Sequence, residues 1–245
     1  MIVGFIGSGS MAAAMARGWK DEFEGMLFSD SGSGRAAALA NELGGEAVPS
    51  REIAERADVV VVAVKPAALD VIAPELAAAR RVVSILAAVS VERLEEVFPH
   101  AEVLRVMPNV GVEVGRGVLC VAGEAADDVR GKLAVLGHVV GIADADFDAA
   151  TAVMGCAPAY LALAVEAIAA AGAADGLDAE LARELVVETT AGTAELLRIR
   201  HPADVRKAVA SPGGSTEAGL EALDREGARA AFEAAVRASL ERMRG

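Results

Sequence analysis

Positive charge is in short supply in this chain of 245 residues. Against 36 Asp and Glu stand 23 Lys and Arg, four of them lysine, for a formal net charge of −13. Such a surface repels nucleic acid and anionic membranes, so neither is expected as a partner. An anionic small molecule stays compatible with it, because a local site can be positive within an acidic protein. Cysteine is nearly absent. Cys120 and Cys156 stand far apart with no CxxC spacing, which argues against a disulfide framework and a cysteine zinc site. The histidines His100, His138 and His201 show no ligand spacing. No Ser-His-Asp arrangement and no metal cluster can be assembled, so no metal is expected. Aromatic residues make up 3 % of the chain, which favours helices packed closely through small residues. No basic segment precedes an apolar stretch, and no charge-free apolar run of spanning length is read from the sequence. A cytoplasmic location is the expectation.

Apolar residues, by contrast, are 54 % of the total, ample for a sizeable core or for two modest domains. Their pattern alternates. MIVGFIG (1–7), MLFSD (26–30), ADVVVVAV (57–64), RVVSILA (81–87) and EVLRVM (102–107, stopped by Pro108) read as strands. Helical segments fall between them at 8–20, 34–45, 51–57, 66–79 and 90–98, the last capped by Ser90. The 57–64 run is too continuously β-branched for a half-exposed strand and fits the centre of a sheet covered on both faces. Strand–helix alternation of this kind predicts an α/β fold, a doubly wound parallel sheet of the Rossmann type. GVLCVAG (117–123), a helix near 125–136 and HVVGIAD (138–144) extend it.

From about residue 147 the period becomes helical throughout. A long segment (147–177) contains Pro158, which should kink or break it. Helices follow at 178–199 and at 201–210, the latter with Pro202 at its start, then the loop SPGGST (211–216), and one or two helices over 217–245. The expected domains are 1–147, binding a dinucleotide, and 148–245, all helical.

Gly7-Ser8-Gly9-Ser10-Met11-Ala12 is a GxGxxA sequence at a strand-to-helix turn. Gly7 permits the tight turn, Gly9 lets the backbone approach a pyrophosphate, and Ala12 allows close helix–strand packing; the helix N-terminus offers free N–H groups to the phosphates. Asp30 lies where a carboxylate binds both ribose hydroxyls, which argues for NADH. Ser31, Ser33 and Arg35 follow at once and suit a 2′-phosphate, which argues for NADPH, so both cofactors stay open. Val64-Lys65-Pro66 and Met107-Pro108-Asn109 each follow a strand, at the carboxyl ends where ligands of open α/β sheets bind. The candidate cofactor-binding residues are therefore Gly7, Ser8, Gly9, Ser10, Met11, Asp30, Ser31, Arg35, Val64, Lys65, Pro66, Met107, Pro108 and Asn109.

The motifs GFIGSGSMA, AVKP, RVMPN, PAYLALAVEA and HPADVRKAVASPGGST occur in this order, and with them the chain resembles the pyrroline-5-carboxylate reductase family over almost its whole length. The resemblance implies a Rossmann domain followed by a helical domain that dimerises by interlocking with its partner, with the active site between nucleotide domain and loop helices. It further implies a higher oligomer of dimers, and hydride transfer from NADPH or NADH to the C=N carbon of Δ1-pyrroline-5-carboxylate, giving L-proline. The substrate, a cyclic imine carboxylate, would be bound by Ser211, Gly213, Gly214, Ser215 and Thr216. The two glycines would open their N–H groups as an anion nest, and the Thr216 hydroxyl, the catalytic group, would face the imine nitrogen. This chain reads Met154-Gly155-Cys156-Ala157-Pro158-Ala159-Tyr160 where the family has two further hydroxyls, and Val110-Gly111 where it commonly has Thr-Pro. A reductase of another cyclic imine and a catalytically silent nucleotide-binding relative remain as alternatives. Hydroxyacid dehydrogenases with a catalytic lysine are disfavoured, because the only lysine beyond Lys132 is Lys207, outside a GxxxNxxK pattern.

Overall fold

The computed structural model describes residues 1–123 and 126–244. The chain divides into two compact units, Met1–Cys156 with the end of the last helix from Leu240, and Ala157–Ser239. In the first unit, β1 (Ile2–Ile6), α1 (Ser10–Gly18), β2 (Gly25–Ser29), α2 (Arg35–Leu43), the short β3 (Glu46–Ala47), α3 (Ser50–Arg56) and β4 (Val59–Val62) follow the expected alternation. Helix α2 stops at Gly44, whose φ of +73° is the left-handed conformation that closes helices.

The segment expected as one helix over 66–79 is broken into a 3₁₀ turn at Pro66–Ala68, α4 (Leu69–Ile72) and a second 3₁₀ turn at Ala73–Leu76. Pro74 has no N–H to continue the ladder. Beyond it lie β5 (Arg81–Ser84), α5 (Val91–Val97) and β6 (Glu102–Pro108), then β7 (Gly117–Gly123), α6 (Asp127–Val135) and β8 (Gly137–Gly141). Position 125, where the helix expected near 125–136 would begin, lies outside the described residues. Ser90 caps α5 as anticipated, its Oγ accepting from Arg93 N–H at 3.1 Å.

The eight strands form one sheet in the order β3-β2-β1-β4-β5-β6-β7-β8. It is parallel as far as β6. The pair β6–β7 is antiparallel, with Pro108 opposite Leu119, and β8 runs parallel to β7. Pro108 thus ends the strand from within, at its last paired position. Successive β4 residues serve opposite faces: Val59 and Val61 join the cluster of Phe5, Met15, Trp19 and Phe28, while Val60 and Val62 join that of Ile6, Ile53 and Leu94. Both faces are covered, so no position in that strand is polar. Arg105 is a charge buried in β6. It is ion-paired to Asp144 Oδ1 at 2.9 Å and lies over the Phe147 ring at 4.1 Å, which compensates its desolvation.

The long segment after β8 breaks ahead of Pro158, as its chemistry requires. Helix α7 (Phe147–Ala150) runs into a π turn at Thr151–Gly155, and α8 (Ala157–Ala174) starts afresh with Pro158 in its first turn. A proline leaves the carbonyl four residues earlier without its helical donor. Here that carbonyl, Met154 O, accepts instead from Asn109 Nδ2 at 3.1 Å.

The second unit contains α8, α9 (Ala179–Leu197), α10 (Pro202–Val209), α11 (Ser215–Arg225) and most of α12 (Ala228–Arg244). Helices α8 and α9 pack on each other, and Asp178 caps α9 by accepting from the N–H groups of Glu180 and Leu181. Tyr160 donates or accepts at Ser239 Oγ across 2.5 Å. Among the described residues of these five helices only Ala182 is buried. Leu161, Leu163, Ile168, Ile199 and Phe232 are exposed by half or more. The expectation that no segment has spanning character needs correction: Asp144–Ala174 is long and apolar enough to cross a membrane by length and composition, with mean hydropathy 1.7. Alanine dominates it, and its best stretch holds almost no charge.

Candidate functional site

The carboxyl ends of β1, β2 and β4 open a cleft of about 610 Å³. At its floor the chain turns at Gly7, with φ +96°, and an added Cβ there would lie 2.7 Å from Ala63 O. The turn is held by Gly7 N–H donating to Ser29 O at 3.0 Å and by Ala63 N–H donating to Ile6 O at 2.8 Å. Ser8 is buried and its hydroxyl donates to Ser29 O at 3.0 Å, so its side chain belongs to the floor. Gly9 is different. Its backbone is extended (φ −78°, ψ −179°), and a Cβ there would meet nothing within 4 Å. Backbone and empty space therefore adjoin just where α1 begins and its unpaired N–H groups point outward. A cradle of this form suits a pyrophosphate. Ala12, 1 % exposed, packs tightly beneath.

Of the residues expected to hold a cofactor, Gly7, Ser8, Gly9, Asp30, Ser31, Arg35, Val64 and Lys65 all line this cleft. Ser10, Met11 and Pro66 are their chain neighbours but do not line it. Met107, Pro108 and Asn109, at the end of β6, lie off it as well. Asn109 has its side chain committed: Oδ1 accepts from Gly111 N–H and Val118 N–H, and Nδ2 donates to Met154 O. It is a clamp on the turn after β6, with no polar atom of its side chain left over. Sequence reasoning missed Ser50 and Val71, which also line the cleft. Ser50 Oγ lies 3.2 Å from Ser29 Oγ, and Val71 is 79 % exposed. The signal for Ser50 was its place at the start of α3; nothing local marks Val71.

Asp30 departs from its expected part as a ribose clamp. Its Oδ1 accepts from the N–H groups of Gly32 (2.7 Å) and Ser33 (3.1 Å). Its Oδ2 accepts from Ser33 Oγ (2.9 Å) and Ala36 N–H (2.8 Å). The Ala36 N–H bond above all, with those of Gly32 and Ser33, lowers its pKa to about 2 against the opposing effect of desolvation. The carboxylate is the pin around which residues 31–36 fold, and Gly32 and Gly34, with φ +93° and +78°, allow that bend. Arg35, at the start of α2, and Lys65, after β4, are exposed.

The second candidate element lies in the helical unit, between α10 and α11. Ser211–Gly214 is a turn closed by Gly214 N–H donating to Ser211 O at 2.9 Å. Gly213 has φ +73°, and its N–H donates to Glu217 Oε2 at 2.7 Å. The anion nest expected from these two glycines is therefore corrected: both N–H groups are already taken inside the loop. Gly214 is required for space, because a Cβ would meet Ser211 Oγ at 2.8 Å and Ser211 O at 2.9 Å. The donors left for an anion are those of Ser215 and Thr216, the first two residues of α11, which have no partner within a helix. The Thr216 side chain is exposed beside them.

Comparison with known proteins bears on both elements. Residues 144–245 match the family model described as pyrroline-5-carboxylate reductase dimerisation, and residues 2–88 the one described as NADP oxidoreductase, coenzyme F420-dependent. A pyrroline-5-carboxylate reductase of Thermus thermophilus is 41 % identical over 214 residues, covering 79 % of this chain and 82 % of that protein. The crystal structure of 1-pyrroline-5-carboxylate reductase from Streptococcus pyogenes superposes with a TM-score of 0.90 at 29 % identity, covering 99 % of this chain and 98 % of that one. A pyrroline carboxylate reductase of Plasmodium falciparum, solved with NADP bound, gives a TM-score of 0.87 at 28 % identity, with coverage of 99 % and 97 %.

Proposed function

The chain belongs to the pyrroline-5-carboxylate reductase family, and from that premise we propose that it reduces Δ1-pyrroline-5-carboxylate to L-proline with NAD(P)H, the last step of proline biosynthesis. The observation that carries this reading is the pairing, in one chain, of the Gly7–Gly9 cradle with the Ser211–Thr216 loop at the head of α11. A cradle alone makes a nucleotide binder; the loop supplies a second site of matching chemistry, donors for a carboxylate beside a hydroxyl.

In this reading residues 1–147 hold the cofactor, and 148–245 carry the substrate loop and the dimer contact. The Gly9 backbone and the start of α1 take the pyrophosphate, where an added Cβ would fill the space. Bound dihydronicotinamide supplies the hydride. The N–H groups of Ser215 and Thr216 anchor the substrate carboxylate, and Ser211 completes the anchor from the turn. The Thr216 hydroxyl donates to the imine nitrogen, whose electron density rises as the adjacent carbon accepts hydride, so the interaction strengthens toward the transition state.

The exposed leucines and isoleucine of α8 fit a homodimer through the helical region, which explains an apolar helix with almost no charge. Assembly of dimers into a higher oligomer and a cytoplasmic location belong to the same proposal. The test of function is steady-state oxidation of NADPH and NADH with Δ1-pyrroline-5-carboxylate, for wild type and Thr216→Ala. Turnover by the wild type with kcat/KM reduced about tenfold or more in the variant, roughly 1.4 kcal/mol of transition-state stabilisation, supports the substrate and the role of Thr216. A folded wild type that binds nucleotide and gives no turnover overturns the proline assignment.

A further inference from the structure

Strand β6 and the residue that follows it carry two polar side chains that the dinucleotide cleft does not use, Arg105 and Asn109. They stand four residues apart in an extended stretch, so both leave it on the same side. Each grips one end of the same segment, 144–154. Arg105 Nη1 donates to Asp144 Oδ1 at 2.9 Å, and Asn109 Nδ2 donates to Met154 O at 3.1 Å. The lengths match. Four residues of strand span about 13 Å at roughly 3.3 Å per residue, and ten residues of helix about 15 Å at roughly 1.5 Å per residue. The segment is helical almost throughout: a 3₁₀ turn at Asp144–Asp146, then α7, then the π turn. It therefore runs along β6 without slack, wholly within the first unit.

Further bonds tie it between the two pins. Asp144 Oδ2 accepts from Val91 N–H at 3.3 Å, at the start of α5. The Phe147 ring, 1 % exposed, covers the Arg105 guanidinium. Phe147 O accepts from Thr151 Oγ1 at 2.7 Å, and Thr151 O accepts from Cys156 N–H at 3.1 Å, the bond that closes the π turn.

Stability alone does not explain the first pin. Arg105 is 4 % exposed, and its Nε has no hydrogen-bond partner among the described residues. A buried ion pair is often no better a stabiliser than apolar groups of the same volume, and an orphaned donor adds to its cost. What a guanidinium opposite a carboxylate does supply is a fixed position. Position matters at this place. In this fold a dinucleotide straddles the point where the strand order reverses, so with its pyrophosphate at Gly9 its nicotinamide half lies beyond the carboxyl ends of β4 to β6. Asn109 holds the π turn at that end.

We propose that Arg105 and Asn109 are positioning residues for hydride transfer, which pin 144–154 along β6 and so fix the π turn Thr151–Gly155 beside the nicotinamide end of the site. This rests on the reading of the chain as an NAD(P)H-dependent imine reductase. Neither side chain touches a reacting atom. A misplacement of about 1 Å in the surroundings of the reacting groups can slow a reaction about 100-fold.

The experiment compares the full-length wild type with two variants. Arg105→Met/Asp144→Leu replaces the pair by apolar groups and strands no charge. Asn109→Asp keeps the acceptor for Gly111 and Val118 and loses the donor to Met154 O. With Δ1-pyrroline-5-carboxylate, each should show kcat at least about tenfold lower and KM within about threefold of wild type. The Kd for NADPH should stay within about twofold, and the isotope effect from 4-deuterated NADPH should rise as hydride transfer becomes slower relative to product release. The Tm of the double variant should equal or exceed that of wild type. Without substrate, the amides of 151–156 should exchange with deuterium at least about tenfold faster in both variants, and those of β1 and α1 at the wild-type rate. A kcat within twofold of wild type in both variants overturns the proposal and leaves the proposed function standing. Unchanged exchange at 151–156 overturns it whatever the substrate, as does a loss of NADPH affinity as large as the loss of kcat. Should the double variant fail to fold, Asn109→Asp carries the same test. A wild type without turnover fails the functional reading instead, and the exchange rates then decide the pinning by themselves.

Discussion

Two alanine substitutions in one motif, Gly7→Ala and Gly9→Ala, should produce opposite phenotypes. At Gly7 the backbone has φ +96°, and the new Cβ would lie 2.7 Å from Ala63 O and 2.9 Å from Ala63 C. Neither atom can retreat easily, since Ala63 N–H is bonded to Ile6 O and its strand lies in the centre of the sheet. Left-handed backbone costs an L-residue about 1–2 kcal/mol, and forced overlap in packed surroundings adds about 1–3 kcal/mol. The sum, roughly 2–5 kcal/mol, lowers Tm by about 4–20 °C at 2–4 °C per kcal/mol. At Gly9 the backbone is extended and no atom lies within 4 Å of the added methyl. Stability should stay within about 0.5 kcal/mol of wild type. The methyl, however, occupies the space that lets a pyrophosphate reach the α1 N–H groups, so the Kd for dinucleotide should rise at least about tenfold, or 1.4 kcal/mol. Thermal unfolding by circular dichroism and nucleotide titration by calorimetry, on both variants, separate the two effects. An unchanged Tm in Gly7→Ala, or a Gly9→Ala protein that binds nucleotide as well as wild type, would refute the reasoning.

Two further predictions follow from local geometry. Ala88 is the one non-glycine with positive φ (+57°) among the described residues, so Ala88→Gly should gain about 0.5–1 kcal/mol, read as a higher denaturant midpoint at unchanged m-value; a lower midpoint would show that the strain is compensated elsewhere. Leu163→Glu and Ile168→Glu place charge on α8 side chains that are 65 % and 59 % exposed in a single chain. Both should yield monomers by light scattering that still bind nucleotide, whereas a persistent dimer would place the interface on other residues.

The architecture was largely legible because it depends on signals that span a few residues. Four consecutive valines at 59–62 can be accommodated only by a strand covered on both faces, and that is where they lie. In GxGxxA the tight turn at Gly7 and the close packing of Ala12 were found as read, and Gly9 has open space beside it. Pro158 broke its helix, since a missing N–H is a local fact. What stayed out of reach was the partner of each polar side chain. Asp30 was read as a ribose clamp, and its bonds within the 31–36 loop appeared only once that loop was seen folded around it. Asn109 meets Met154 O 45 residues along the chain, a pairing that no pattern encodes.

The antiparallel turn of β7 against β6 was equally hidden, because a run of alternating β-branched residues reads the same in either direction. By itself, then, the sequence determined which segments become strands and helices, where they break, and which glycines must stay bare, for these follow from sterics and periodicity within a turn or two. Tertiary structure decided which acceptors remain free, that of Asp30 no more than those of Asn109, and left Arg35 as the uncommitted cation beside the loop after β2. The physical reason is that a hydrogen bond needs two groups at one place, and only long-range packing of the chain brings the second one there.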